Sequence, residues 1–128
     1  MDNRTAEEII KYFKDNKLHK TALLLGGSVS PEAFAYNTLG GEAFKNDDFH
    51  LAIEYYTKAI EYDLKNSTAL RQRAICYRMI QEYDKSIEDA FKSKQIDDNF
   101  VDNQTLALCY LFKKEYTVSK EYFDITIN

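Results

Sequence analysis

A two-helix unit repeats along this 128-residue chain, first at 34 residues and then at 33. At those offsets Gly40, Ala74 and Ala107 are equivalent, as are Phe49, Tyr83 and Tyr116, and Ala52, Ser86 and Ser119. Small residues recur at one place and an aromatic at another. Self-similarity at this period marks a helical solenoid, in which each repeat buries its apolar face on its neighbours.

The pattern inside each unit is helical. Ala52, Ile53, Tyr56, Ala59 and Ile60 form a single stripe at i, i+1, i+4, i+7 and i+8. The chain holds one proline, Pro31, and only four glycines. No segment shows a sustained strand alternation. Thr5 and Glu8 form a capping box for a helix over 6–14. A second short helix over 18–25 ends at Gly26-Gly27. Ser30-Pro31 reads as N-cap and first-turn proline of a helix to Lys45. Further helices are predicted over 49–64, 68–81, 83–95, 100–113 and 116–127. The total is eight helices in four antiparallel pairs, in an all-α fold and a single domain over 1–128.

Lys and Arg number 17 against 21 Asp and Glu, for a formal charge of −4, so there is no basic footprint for nucleic acid. The start is polar and without a signal-peptide core, and Ala22–Leu25 is too short an apolar run to span a bilayer. A cytoplasmic location with no membrane contact is expected. The sequons at Asn3, Asn66 and Asn103 are read as chance. Cys76 and Cys109 stand 33 residues apart at equivalent places, which suits small core residues better than a metal site. His19 and His50 are near neither. His50 follows Phe49, and Asp47-Asp48 beside it serve as turn and helix cap. No phosphate loop is present, and Asp97-Asp98-Asn99 lacks a calcium-loop frame. No catalytic residue, metal or cofactor is expected.

Residues 31–64 resemble a tetratricopeptide repeat, whose first helix carries an aromatic, Leu-Gly and Tyr, and whose second carries Ala, Phe and Ala. Tyr36 stands in the first aromatic place, Leu39-Gly40 match, and Ala43-Phe44 replace the Tyr. Phe49, Ala52, Tyr56 and Ala59 continue the pattern. The unit over 67–99 keeps Leu70, Ala74, Tyr77 and Tyr83, with Ser86 and Ser93 at small positions. The unit over 100–127 keeps Leu106, Ala107, Tyr110, Tyr116 and Phe123, with Ser119 and Thr126. Residues 74–88 and 107–121 share seven of fifteen identities, so these two units also match each other. Residues 5–30 form an atypical N-terminal pair. The small positions suit helices approaching to roughly 8–10 Å.

The resemblance implies a right-handed superhelix and a non-catalytic, protein-binding role as adaptor or scaffold. The first helix of each pair would line a concave groove for a peptide or helix. Its candidate residues are Phe34, Asn37, Gly41, Phe44 and Lys45, then Thr68, Arg71, Ile75, Arg78 and Met79. Val101, Gln104, Leu108, Leu111 and Phe112 complete it. The mixture is mainly apolar. The family's clamp for acidic chaperone tails uses two Asn, two Lys and an Arg. Here Asn37, Gly41, Gln72, Val101 and Thr105 occupy those places, so binding of an acidic tail is not expected. An alternative is an assembly domain, possibly part of a longer protein. There the apolar C-terminal face of Phe123, Ile125 and Ile127 would drive homo-oligomerisation.

Overall fold

The structure is a computed structural model that describes residues 5–18 and 30–127. Seven helices and no strand occur among the described residues. They are α1 (Ala6–Asp15), α2 (Pro31–Lys45), α3 (Phe49–Tyr62), α4 (Ser67–Met79), α5 (Tyr83–Ile96), α6 (Phe100–Phe112) and α7 (Tyr116–Ile127). The helix expected over 18–25 lies outside the described residues beyond Leu18, which sits in a turn. The backbone gathers into two compact units, 1–69 and 70–128, with α4 beginning in the first and continuing in the second.

The helix starts follow side-chain chemistry. Thr5 Oγ1 accepts from the Glu8 amide at 3.2 Å, and Ser30 Oγ accepts from the Ala33 amide at 3.2 Å. Asp48 Oδ1 accepts from Leu51 N, Asn66 Oδ1 from Ala69 N and Asn99 Oδ1 from Val101 N. Each acceptor satisfies an amide that the first helical turn leaves unpaired. Asn66 and Asn103 are buried, which fits the reading of their sequons as chance.

The helix ends share one device that sequence reading did not anticipate. Lys17, Asp47, Gln81 and Lys114 all take positive φ, between 51° and 67°. The next amide in each case reaches back five residues: Leu18 to Phe13, Asp48 to Ala43, Glu82 to Tyr77 and Glu115 to Tyr110. This is a Schellman closure, usually made by glycine at the left-handed position. Here no glycine occupies it, so the last three repeats carry the same turn without the usual marker. Helix α1 closes in the same way as α2, α4 and α6.

In the first unit α1 packs on α2, and α2 on α3. Ile9, Ala35 and Leu39 form the core, with Ala6, Ile10, Phe34, Tyr36 and Tyr55 around it. The small position is strictly required here. A Cβ on Gly40 would lie 2.7 Å from the Tyr56 ring, which is buried. The equivalent of Tyr56 in the next repeat is Ala90, which shares a core with Ala74. A large residue on one helix is thus balanced by a missing Cβ on the other.

In the second unit the core is Ala74, Ala90 and Leu106, with Ile87, Phe91, Tyr110 and Tyr122 packed on it. Tyr122 stacks on Tyr110 and meets Phe91 edge-on. The register had put Phe123 in the aromatic place; Phe123 is half-buried, and Tyr122 makes these ring contacts. The serines at the small positions are active. Ser86 Oγ donates to the Ala74 carbonyl at 2.6 Å, and Ser119 Oγ donates to the Ala107 carbonyl at 2.7 Å. A hydroxyl fits the slot and ties the two helices of each pair together.

One apolar pair is exchanged for an ionic one. Leu39 and Tyr55 adjoin one core, and their equivalents Leu106 and Tyr122 adjoin the other. The middle repeat has Arg73 and Asp89 at these places. Arg73 donates from Nε to Asp89 Oδ2 at 2.7 Å and from Nη2 to Oδ1 at 2.8 Å, in a part-buried fork.

Two stability outcomes follow from these contacts. Gly40→Ala should destabilise by about 1–3 kcal/mol through overpacking against Tyr56, although alanine is the better helix former. Asp89→Ala should cost about 3 kcal/mol by stranding Arg73, whereas Arg73→Leu with Asp89→Tyr should come within about 1 kcal/mol of wild type. Urea unfolding measures both; an Asp89→Ala protein as stable as wild type would refute the ionic account.

Candidate interaction site

The exposed face of α6 is the clearest surface feature of the second unit. Asp102, Asn103, Thr105, Leu106, Ala107 and Cys109 are buried. The outward residues are Phe100, Val101, Gln104, Leu108, Leu111 and Phe112. They recur at three- and four-residue intervals, so they form one stripe. Five of the six are apolar, and the only charge on the helix, Asp102, points inward. Phe112 is 55% exposed and lies flat on Tyr83, ring centroids 5.4 Å apart. On α4, Ile75 is half-buried and Met79 is 49% exposed.

The candidate groove residues divide by environment. In the first unit Phe34 packs on Phe13 of α1 at 4.8 Å between centroids, so part of it is committed to the core. Asn37 is half-buried, with Oδ1 buried and without a hydrogen-bond partner. Phe44 is half-buried, edge-on to Phe49 at 5.7 Å, and Lys45 is exposed. Gly41 and Thr68 are half-buried. In the second unit Arg78 is half-buried, with Nε buried and unpaired. Val101 and Leu108 are half-buried and Gln104 is exposed.

Arg71 departs most from the expectation of a solvent-facing groove cation. Its side chain is 11% exposed. Nε donates to Asp102 Oδ1 and Nη2 to Asp102 Oδ2, both at 3.3 Å. Nη2 also donates to the Asp97 carbonyl at 3.3 Å and lies 3.5 Å from Asp97 Oδ2. Ser93 Oγ donates to Asp102 Oδ2 at 3.0 Å. Burial pushes the Asp102 carboxyl above the usual carboxylate range, against the opposing pull of Arg71 and Ser93. Sequence reading missed Asp89 and Asp102. The one available signal was that Asp102 aligns with Ala35 and Ala69, both wholly buried.

The remaining candidates have simple environments. Cys76 and Cys109 are buried and reduced. Cys109 Sγ donates to Ser86 Oγ at 3.3 Å. Burial pushes the Cys76 thiol up to about 12 and raises that of Cys109 as well. His50 is exposed near the start of α3, and His19 lies outside the described residues. Among the described residues no group of three or more His, Cys, Asp or Glu is placed to hold a metal ion. No described helix is long and apolar enough to cross a membrane. On α7, Ile125 is exposed and Phe123 half-buried; the side chain of Ile127 lies outside the described residues.

Short-turn helix pairs with a small residue at the crossing, recurring at 34 and 33 residues, define a tetratricopeptide-type array. The comparisons agree. Human tetratricopeptide repeat protein 28 is 34% identical over 73 residues, 55% of this chain and 3% of that protein. The Hsp70-Hsp90 organizing protein of Triticum aestivum is 41% identical over 54 residues, 42% of this chain and 9% of that one. The chain therefore spans a small fraction of these relatives. The second tetratricopeptide domain of Spaghetti, solved with the HSP90 peptide SRMEEVD, superposes with a TM-score of 0.71. It covers 74% of this chain and 89% of that domain at 24% identity, a likeness of fold. No family model matches the chain. The fold is that of tetratricopeptide-repeat domains.

The thiol environments have a direct consequence. Burial and a raised pKa both deplete the reactive thiolate, so both cysteines of the native protein should alkylate more slowly at pH 8 than free cysteine. Labelling followed by mass spectrometry reads this, and both sites should react freely in urea. Fast native labelling at Cys76 would contradict its burial.

Proposed function

We propose that the chain is a non-catalytic protein-interaction module of adaptor type, which holds a peptide or helix against the apolar stripe of α6 and the adjoining face of α4. The observation that carries this reading is the stripe from Phe100 to Phe112, apolar at five of six outward positions and free of charge. A contiguous exposed apolar face of this kind suits a partner's hydrophobic anchors. The names of the relatives support protein binding as the class of activity.

The acidic HSP90 peptide solved with Spaghetti is not the expected ligand. The places of a carboxylate clamp are filled by Asn37, Gly41, Gln72, Val101 and Thr105, none of them cationic, and Thr105 is buried. A carboxylate needs charge-assisted donors to offset its lost hydration. The alternative of self-association through α7 draws support from the exposed Ile125. The half-burial of Phe123 makes that face smaller than the α6 stripe, which favours the groove.

Leu108→Glu with Phe112→Glu should reduce partner recovery in affinity capture from the source cell at least tenfold, because central apolar anchors contribute about 2 kcal/mol or more each. Both residues are partly or mostly exposed, so the fold should persist, and a matched thermal melt checks this. Unchanged recovery from a folded double variant would refute the groove.

A further inference from the structure

Residue 71 lies on the outward register shared by Asn37 and Gln104. Its guanidinium is nonetheless withdrawn into a cluster built by three helices and the turn after α5. We propose that Asp102 is a specificity-determining residue: it sequesters Arg71, so that the face of α4 and α6 refuses acidic segments and accepts uncharged apolar ones. This rests on the groove reading given above and names the chemistry which that groove selects.

Two observations and one general argument support it. First, the repeat does not need a carboxylate at this place, because the equivalents of Asp102 are Ala35 and Ala69. Asp102 is itself 1% exposed, and burying a lone carboxylate is costly, so its partners must supply the compensation. Second, those partners are Arg71, through a two-pronged contact at 3.3 Å, and the Ser93 hydroxyl at 3.0 Å. Asp97 adds its carbonyl at 3.3 Å and its exposed carboxylate at 3.5 Å to Nη2. Third, a tethered carboxylate competes at a very high effective concentration, of millimolar order or above for a short flexible link. A peptide carboxylate in dilute solution does not displace it. The one cation in the Asn37–Arg71–Gln104 register is thereby made unavailable.

The test uses the whole chain and the acidic peptide SRMEEVD as probe. Asp102→Ala reproduces the residue of the other repeats, and Asp102→Asn preserves volume should the alanine variant melt early. Phenylglyoxal labelling read by mass spectrometry should modify Arg71 about tenfold faster in either variant, through loss of a charge-assisted pair. Calorimetric titration should show the peptide bound about tenfold tighter than by wild type, a gain of similar origin. Adding Arg71→Gln to the variant should abolish that gain. Equal labelling of Arg71 in wild type and variants would overturn the sequestration. Wild-type affinity for the peptide equal to that of the variants, or faster labelling without tighter binding, would overturn the role in discrimination. The groove reading fails separately, on the Leu108→Glu and Phe112→Glu capture with Asp102 intact.

Discussion

The close approach of the two helices in each pair is the constraint on which the rest of the structure depends. Helices that near leave no room for a side chain at the crossing. In the first clear repeat that space goes to the Tyr56 ring, and Gly40 gives up its Cβ to admit it. In the later repeats Ser86 and Ser119, the equivalents of Ala52, add a hydroxyl that bonds the facing carbonyl of Ala74 or Ala107. Those carbonyls already serve the helix ladder, so the added donor supplies a link between helices at no loss to either. Once the crossing is set, the following turn has to return the chain within a few residues. The left-handed residue at Asp47, Gln81 or Lys114 does so.

The second unit adds charge to this frame. Arg73 and Asp89 stand where the neighbouring repeats have a leucine and a tyrosine, and Asp102 stands where they have alanine. Buried ion pairs add little net stability over a well-packed apolar pair. They do restrict which neighbour a helix accepts, because a misplaced helix would strand a charge. Arg71 ties α4 to α6, and Ser93 brings α5 to the same carboxylate. The interface between the second and third repeats is thus specified by polar fit as well as by shape.

Much of the fold was legible from residue pattern. The recurrence of Gly40, Ala74 and Ala107 located the crossings, Ser30-Pro31 the start of α2, and Asp48 the cap of α3. What escaped has physical reasons. Left-handed turns are normally read from glycine, and Lys17, Asp47, Gln81 and Lys114 carry no such mark. Two helix ends were therefore placed one or two residues late, at Gln81 and Lys113 rather than at Met79 and Phe112. A charged residue on a helix is usually solvated, so Asp89 and Asp102 drew no notice, and Arg71 was assigned to solvent. Only the comparison with Ala35 and Ala69 could have signalled that residue 102 faces inward. On α6 the expected groove residues Val101, Gln104, Leu108, Leu111 and Phe112 are at least partly exposed, whereas the state of Arg71 depended on a partner 31 positions away.

The same burial that hid Asp102 from sequence reading shapes the surface. An outward carboxylate on α6 would break the apolar stripe, and an unpaired Arg71 would place a cation beside it. Paired and buried, the two charges cancel within the helix layer. What remains outward is Phe100, Val101, Leu108, Leu111 and Phe112, with Gln104 as the polar exception. On α6 an apolar ligand then finds contact area without having to desolvate a free charge, and a charged ligand finds no counter-ion on that helix to offset its own desolvation. The selectivity of the face is in this way a consequence of how the third repeat is joined to the second.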